Sequence, residues 1–422
     1  MIQFTPRNWG SKGRVIMNKG RVIKNIVYRV RRSTIFHSIF ISLLLIYVLI
    51  IVPYARIEKM VRKGLGRKPR IVWGTSPILS IRHSSYAARL MGYKSDTLVY
   101  TKSILDEEGQ YDYVMDNLVE KYASAKGLLG KITLGLMSPF VFMWATLKYD
   151  IFHMYFVGGI LWPFFQSKLE IPLLHLAGKK VIVVPFGDDA RLKSEALKFK
   201  DGFCQHCDGK LYNCDEPVVR KRVEYFCKHS DMVLECAETV GYFPRSDGMW
   251  MYPINDRIWQ PTEVPDNKGV VKVVHSSNHR VLKGTDLLVE AVEELKGEGY
   301  DIELVIVEKM TNNESKTIYE TADIIADQFF AGAYALFAIE GMALGKPVMC
   351  FISDEYLPWH PEWLECPIYN TSQYDIKDRL RELVLDKELR LELGRKGIEY
   401  VEKYHGLRAI GEKLDELYRR IW

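Results

Sequence analysis

Two cations and a glycine, Arg280, Lys283 and Gly284, close the run His275-Ser276-Ser277-Asn278-His279-Arg280-Val281-Leu282-Lys283-Gly284-Thr285, just ahead of an amphipathic stretch. Positive side chains beside the free amides of a helix start suit a diphosphate, because together they offset charge that bulk water would otherwise solvate. On its own, Arg-x2-Lys-Gly reads equally well as a solvated loop. Further along, Glu340 stands in Ile339-Glu340-Gly341-Met342-Ala343-Leu344-Gly345-Lys346-Pro347-Val348. A carboxylate there can accept from two adjacent hydroxyls, or simply oppose a helix dipole.

The first half of the chain offers three more reactive groupings. Asp188, Asp189 and Arg191, in Phe186-Gly187-Asp188-Asp189-Ala190-Arg191, can position hydroxyls, or form a helix cap and a salt bridge. His153, in Tyr149-Asp150-Ile151-Phe152-His153, can shuttle a proton or sit satisfied in a core strand. Of seven cysteines, Cys204, Cys207 and Cys214 form Cys-x2-Cys-x6-Cys, and Cys227 is the natural fourth ligand of a candidate structural zinc site. The other reading is unpaired buried thiols in a reducing compartment, which the odd count favours.

These groups need elements to hold them. Short apolar runs at Arg70–Gly74, Thr97–Tyr100, Asp150–Tyr155 and Lys180–Pro185, separated by helical stretches, predict a parallel sheet with crossover helices. After an irregular region around Met249–Pro253 the pattern restarts, with strands at Val270–His275 and Ile302–Val307 around a helix at Thr285–Lys296. A helical stretch at Ser315–Glu320, a strand at Lys346–Cys350 and charged amphipathic helices over Lys377–Arg420 follow. The expectation is α/β, with Rossmann-like domains at 69–255 and 256–422 facing a cleft at the carboxyl ends of their strands. A length of 422 residues, with 48% hydrophobic and 26% charged, supports two such cores and excludes a disordered chain.

Residues 1–68 differ from the rest. Nine cations, Arg7, Lys12, Arg14, Lys19, Arg21, Lys24, Arg29, Arg31 and Arg32, precede Ile35, and no carboxylate occurs before Glu58. Nucleic acid and an anionic lipid surface both suit such a run. Ile35–Val52 decides for lipid: it is 18 residues without a formal charge, ~27 Å as a helix and long enough to reach across the apolar core of a bilayer. It ends in Pro53-Tyr54-Ala55-Arg56 with no small-residue cleavage site, so it reads as an uncleaved membrane helix. Basic flanks on both sides fit a re-entrant or interfacial helix with the globular part on the cytoplasmic face; a single span stands beside it. No nucleic-acid partner is expected.

Together, His275–Thr285 and Ala322–Val348 resemble the donor domain of family 4 glycosyltransferases, the glycosyl transferases group 1, which have the GT-B fold. The resemblance implies that Arg280, Lys283 and Gly284 bind the donor diphosphate, and that Glu340 is the second glutamate of a Glu-x7-Glu motif, bonding the nucleotide ribose. The first glutamate of that motif falls on Gly332, which has no side chain to hold the donor sugar; Ala333 and Tyr334 follow it on the donor side. His153, Asp188 and Asp189 are implied as catalytic, and Thr75, Ser76 and Arg191 as acceptor-side residues. Implied with them are a nucleotide-diphosphate sugar as donor, a membrane lipid or lipid-linked glycan as acceptor, retention without a protein nucleophile, and no cofactor for catalysis. The chain has no Asp-x-Asp, which fits a donor held by Arg280 and Lys283. Gly332 leaves an alternative: a catalytically lapsed protein of the same fold that binds nucleotide sugar or scaffolds other transferases.

Overall fold

The computed structural model describes residues 41–102, 110–120, 128–161, 167–207, 215–263, 267, 269–277 and 279–422. Its first element is one helix, α1 (Ile41–Gly64), long and apolar enough by length and composition to cross a membrane. The helix therefore runs on past the end of the apolar stretch at Val52 to Gly64, through Arg56, Glu58, Lys59, Arg62 and Lys63, and residues 35–40 lie outside the described ones. Pro53 does not break it because the preceding turns, Tyr47–Ile51, are π-helical, and a widened turn leaves room for a residue without an amide hydrogen.

Seven parallel strands form the first sheet: β1 (Arg70–Thr75), β2 (Lys94–Val99), β3 (Tyr113–Val114), β4 (Ile151–Tyr155), β5 (Lys180–Val184), β6 (Met232–Glu235) and β7 (Gly248–Met249), ordered β3-β2-β1-β4-β5-β6-β7. The helices α2 (Leu79–Leu90), α3 (Leu128–Lys148), α4 (Glu170–Leu176) and α5 (Glu216–His229) cross between them. Both faces of the sheet are covered, so the central strands β4, β5 and β6 are mostly apolar and do not alternate with polar residues, whereas β2 opens with Lys94, Ser95, Asp96 and Thr97. One face, with Val72, Phe152 and Val181, packs on Tyr47 and Ala55 of α1, Phe142 of α3, Leu174 of α4 and Val223 of α5. Asp150 fixes α1 at the amino edge: it accepts from Arg70 at 3.0 Å and Lys179 at 3.2 Å, with Arg62 of α1 at 3.5 Å.

The second sheet is β8 (Val271–Ser276), β9 (Ile302–Val307), β10 (Ile324–Ala326), β11 (Val348–Cys350) and β12 (Tyr369–Asn370), also parallel, ordered β12-β11-β10-β8-β9. Around it lie α6 (Thr285–Gly297), α7 (Asn312–Glu320), α8 (Leu336–Ala343), α9 (Ile376–Leu385) and α10 (Lys387–Tyr404). The last helix, α11 (Leu407–Ile421), leaves this unit and packs on α2, so that Leu414 and Tyr418 join Trp73, Ile81 and Ile182 on the other face of the first sheet. Two Rossmann-like α/β units therefore face each other, as the alternating runs predict, with the terminal helix crossing between them. No expectation covered α3, whose 21 residues include Leu134, Leu136, Phe140, Phe142 and Trp144.

Candidate active-site cleft

At the end of β8 the chain passes through Ser277 and His279 into a single helical turn, Arg280–Lys283, and then into α6. Gly284 joins the two with φ +75°, and a side chain there would meet the rings of Phe329 and Phe330 at 3.3 Å. Only glycine makes that left-handed bend without strain. The bend sends Lys283 back across the strand end, where its ammonium donates to the Ser276 carbonyl at 2.9 Å and to Asp327 Oδ1 at 2.7 Å. Arg280 points outward, 45% exposed, with Asp286 and Glu308 each 3.3 Å away. One cation is thus held in place, and the other stands at the rim between carboxylates.

Asp327 follows β10 and is fully buried, and its Oδ2 has no hydrogen-bond partner among the described residues. A buried carboxylate oxygen without a donor is costly unless a ligand or water completes it. Glu340, on α8, is also buried and accepts from Asn312 Nδ2 at 3.0 Å. Asn312 opens α7, whose start is fixed by a capping box between Thr311 and Glu314. Burial pushes the Glu340 carboxyl up to about 8, with the Asn312 hydrogen bond and Lys283 opposing the shift. Lys283, Asp327 and Glu340 thus form one electrostatic cluster under the helix start. Sequence reading missed Asp327 and Asn312, although an aspartate directly after the apolar run Ile324-Ile325-Ala326 was a readable sign.

Gly332 has φ +70°, and a Cβ would lie 2.9 Å from Ser353 Cβ and from the Tyr356 ring. The position that the motif gives to glutamate has no room for any side chain. Ala333 and Tyr334 are buried; the Tyr334 hydroxyl pairs with Tyr400 at 2.8 Å and His405 at 2.9 Å. Ala333 takes a hydrogen bond from Gln328 on its carbonyl. These two residues hold the loop, and neither offers a polar side-chain atom to a donor.

A cavity of about 240 Å³ opens at the carboxyl ends of β5, β8 and β10. Phe186, Gly187, Asp188, Arg191 and Phe203 line it from the first unit, and Leu282, Gln328, Tyr334 and Ala335 from the second. Arg191 donates to Asp188 at 2.9 Å and lies over the Phe203 ring at 4.8 Å. Asp189, one residue on, turns inward: it accepts from the Phe186 amide at 2.9 Å and the Phe156 amide at 3.0 Å. Burial raises it to about 7. It shapes the loop and does not face the cleft.

His153 lies farther from the chemistry. It pairs with Trp73 across β1 and β4 and stacks on it at 3.5 Å, while Nε2 meets the Tyr418 hydroxyl at 2.8 Å. Burial holds its pKa well below the usual histidine range, and it does not line the cavity. Thr75 is buried with its hydroxyl on the Gly159 carbonyl at 3.3 Å, and Ser76 accepts on its carbonyl from the Ile78 amide; neither lines the cavity. Cys204 and Cys207 line the cleft, whereas Cys227 packs in the core of the first unit, pushed up to about 12 by burial, and Cys214 lies outside the described residues. Among the described residues no three His, Cys, Asp or Glu side chains gather to hold a metal.

No family model and no curated protein matches the chain. Solved structures do. A TarM mutant of S. aureus in complex with fondaparinux, α-GlcNAc-glycerol and UDP is 14% identical over 64% of this chain, with a TM-score of 0.45; the match spans 55% of TarM, about half its length. The S. aureus MnaA–UDP structure is 12% identical, covering 84% of this chain and 98% of its own, with a TM-score of 0.45. OtsA without ligand is 11% identical, covering 83% and 99%, with a TM-score of 0.48.

Proposed function

We propose that this chain is a GT-B glycosyltransferase, similar to family 4, that moves a sugar from a nucleotide-diphosphate donor to a membrane-associated acceptor, lipid-linked or polysaccharide, with retention. The observation that carries the reading is the cluster of Lys283, Asp327 and Glu340 under the start of α6, directly behind Leu282 and Gln328, which line the cavity opposite Asp188 and Arg191. The diphosphate lies at the Arg280–Lys283 turn, where both cations and the turn's amides offset its charge. Glu340 bonds the ribose hydroxyls. Asp188 and Arg191 hold sugar or acceptor hydroxyls on the facing side.

In the reaction the anomeric C–O bond to phosphate breaks, and its electron pair leaves with the nucleoside diphosphate, stabilised by Lys283 and Arg280. The acceptor oxygen bonds to the anomeric carbon on the same face, and its proton passes to the departing phosphate oxygen. Cations fixed before the reaction stabilise that developing charge without reorganisation. The catalytic units work on the cytoplasmic face of the membrane that α1 holds.

The test is release of nucleoside diphosphate from UDP-, GDP- and dTDP-sugars by detergent-solubilised protein with membrane lipid extract, beside Lys283→Ala and Glu340→Ala. Acceptor-dependent release that both substitutions remove supports the transferase. Gly332, closed to any side chain, favours a second reading, a lapsed binder of nucleotide sugar. Tight binding without release would select it.

A further inference from the structure

Most of the first sheet's covering helices hide their apolar side, but α1 and α3 also carry apolar side chains outward. On α3, Leu136, Phe140 and Trp144 recur at every fourth position and are 52%, 59% and 37% exposed, a single stripe along the helix. On α1, Leu45, Leu49, Ile50, Tyr54, Ile57 and Val61 are exposed as well. The two helices touch: Tyr47 stacks on Phe142 at 5.3 Å, and its hydroxyl lies 3.4 Å from Thr146. Their outward stripes belong to one surface.

We propose that α3 is a second membrane-inserted element, and that with α1 it forms the face by which the protein sits on an anionic lipid bilayer. The proposal deepens the function above by saying how the cleft meets a membrane acceptor. It rests on that reading only for the acceptor.

Three observations select lipid as the occupant. First, charge: residues 1–57 hold cations and no carboxylate, so a second copy of the chain brings like charges together, whereas anionic headgroups are complementary. Second, the stripes end in aromatic and lysine belts. Lys148 lies 4.4 Å from the Tyr113 ring and 5.1 Å from that of Trp144, while Lys59 and Lys63 lie 5.0 and 5.3 Å from Trp422. Tryptophan, tyrosine and lysine are the side chains that sit at a membrane–water boundary. Third, the surface is continuous with the one described helix whose hydropathy and length suit a bilayer core. Tyr47, Val52 and Ala55 are packed on the domain, so α1 meets lipid on one side only.

Direction gives the face its use. Arg62 of α1 lies at Asp150, before β4, whereas Leu43 and Leu44 share an apolar trough with Leu161, after β4. The helix therefore runs against the strands, and its most apolar end lies at their carboxyl edge. The cleft opens at that same edge, after β5. An acceptor whose lipid stays in the bilayer reaches the cleft without leaving the membrane.

The experiment uses the full chain on vesicles of phosphatidylcholine and phosphatidylglycerol whose acyl chains carry bromine near the headgroup, and compares tryptophan quenching in wild type and Trp144→Phe. Quenching at least halves the Trp144 component, and Phe140→Glu removes that quenching while the chain stays on the vesicles and unfolds in detergent at the wild-type temperature. A Trp144 component that bromine leaves unchanged overturns the proposal, as does quenching that survives Phe140→Glu. An unquenched Trp144 with cross-linked dimers assigns the face to a second copy and overturns it too. No nucleotide is added, so a failed transferase reading leaves this result standing, and the reverse.

Discussion

The two sides of the cleft are built from the same strand–helix repeat, yet they treat their polar residues differently. On the second unit, Lys283, Asp327 and Glu340 converge at the strand ends, with one buried oxygen still lacking a donor. On the first unit, His153 and Asp189 complete the fold: one is stacked and bonded in the core, the other ties down a loop through two backbone amides. Asp188 and Arg191 are the charged side chains that line the cavity there among the described residues. Neighbouring residues in one loop, Asp188 and Asp189, have opposite fates. Position relative to the end of a strand, and not residue type, sorts ligand-facing groups from structural ones.

The strongest way to break this comparison is to remove one polar side chain from each side. Lys283→Ala should lower turnover by roughly 10²- to 10³-fold, the usual loss for a preorganised group that stabilises a leaving charge. His153→Phe should keep turnover within about threefold while lowering the unfolding temperature, because it leaves the buried Tyr418 hydroxyl unpaired at a cost of about 1–3 kcal/mol. Steady-state release assays beside thermal scans check both, and a loss of turnover in His153→Phe as large as in Lys283→Ala would break the distinction.

Restoring the motif glutamate is the next largest effect. Gly332→Glu should destabilise the protein by about 2–5 kcal/mol, from a left-handed backbone and overpacking against Tyr356, without raising turnover. Denaturant midpoints measure it; a stable and more active variant would show that the loop has another conformation. Arg280→Gln, at the exposed rim, should weaken donor binding by about tenfold, roughly one charge-assisted hydrogen bond. Titration with a nucleotide sugar reads that directly.

The smallest effect sharpens the account of the first unit. Glu170 is buried, accepts from the Ile160 and Leu161 amides at 2.6 and 3.1 Å, and is raised by burial from 4.5 to about 7. A raised carboxyl is favoured protonated in the folded state, so its contribution is full below pH 4.5 and is lost as pH rises through 7. The loss is on the order of 3 kcal/mol at most. Glu170→Gln should flatten the fall in unfolding temperature between about pH 4.5 and 7; a slope equal to wild type would sink the assignment.

Much of the fold was legible in the chain because apolar runs bounded by turns recur at strand length, as at Lys180–Val184 and Ile302–Val307. The Arg280–Gly284 turn was legible as a strand-to-helix transition, because it stands between the apolar run of β8 and the amphipathic stretch that forms α6. His153 was not, because nothing local says which face of β4 it takes or that Tyr418 will cover it. α3 escaped for a related reason: a mostly apolar helix containing Pro139 has a weak amphipathic period to read. Asp327 is significant only beside Lys283, 44 positions earlier in the chain.

The terminal helix carries a consequence for how the protein is made. His153 meets Tyr418 across 265 residues, and Lys68 meets Asp415 at 3.1 Å. A ribosome makes β1 and α2 early, while Leu414, Asp415 and Tyr418 are still hundreds of residues from synthesis. The part of the first sheet's face that α2 leaves bare therefore waits uncovered through translation of the second unit. The first unit is complete only when the chain is, and the same closing helix that completes it also ties the second unit to it.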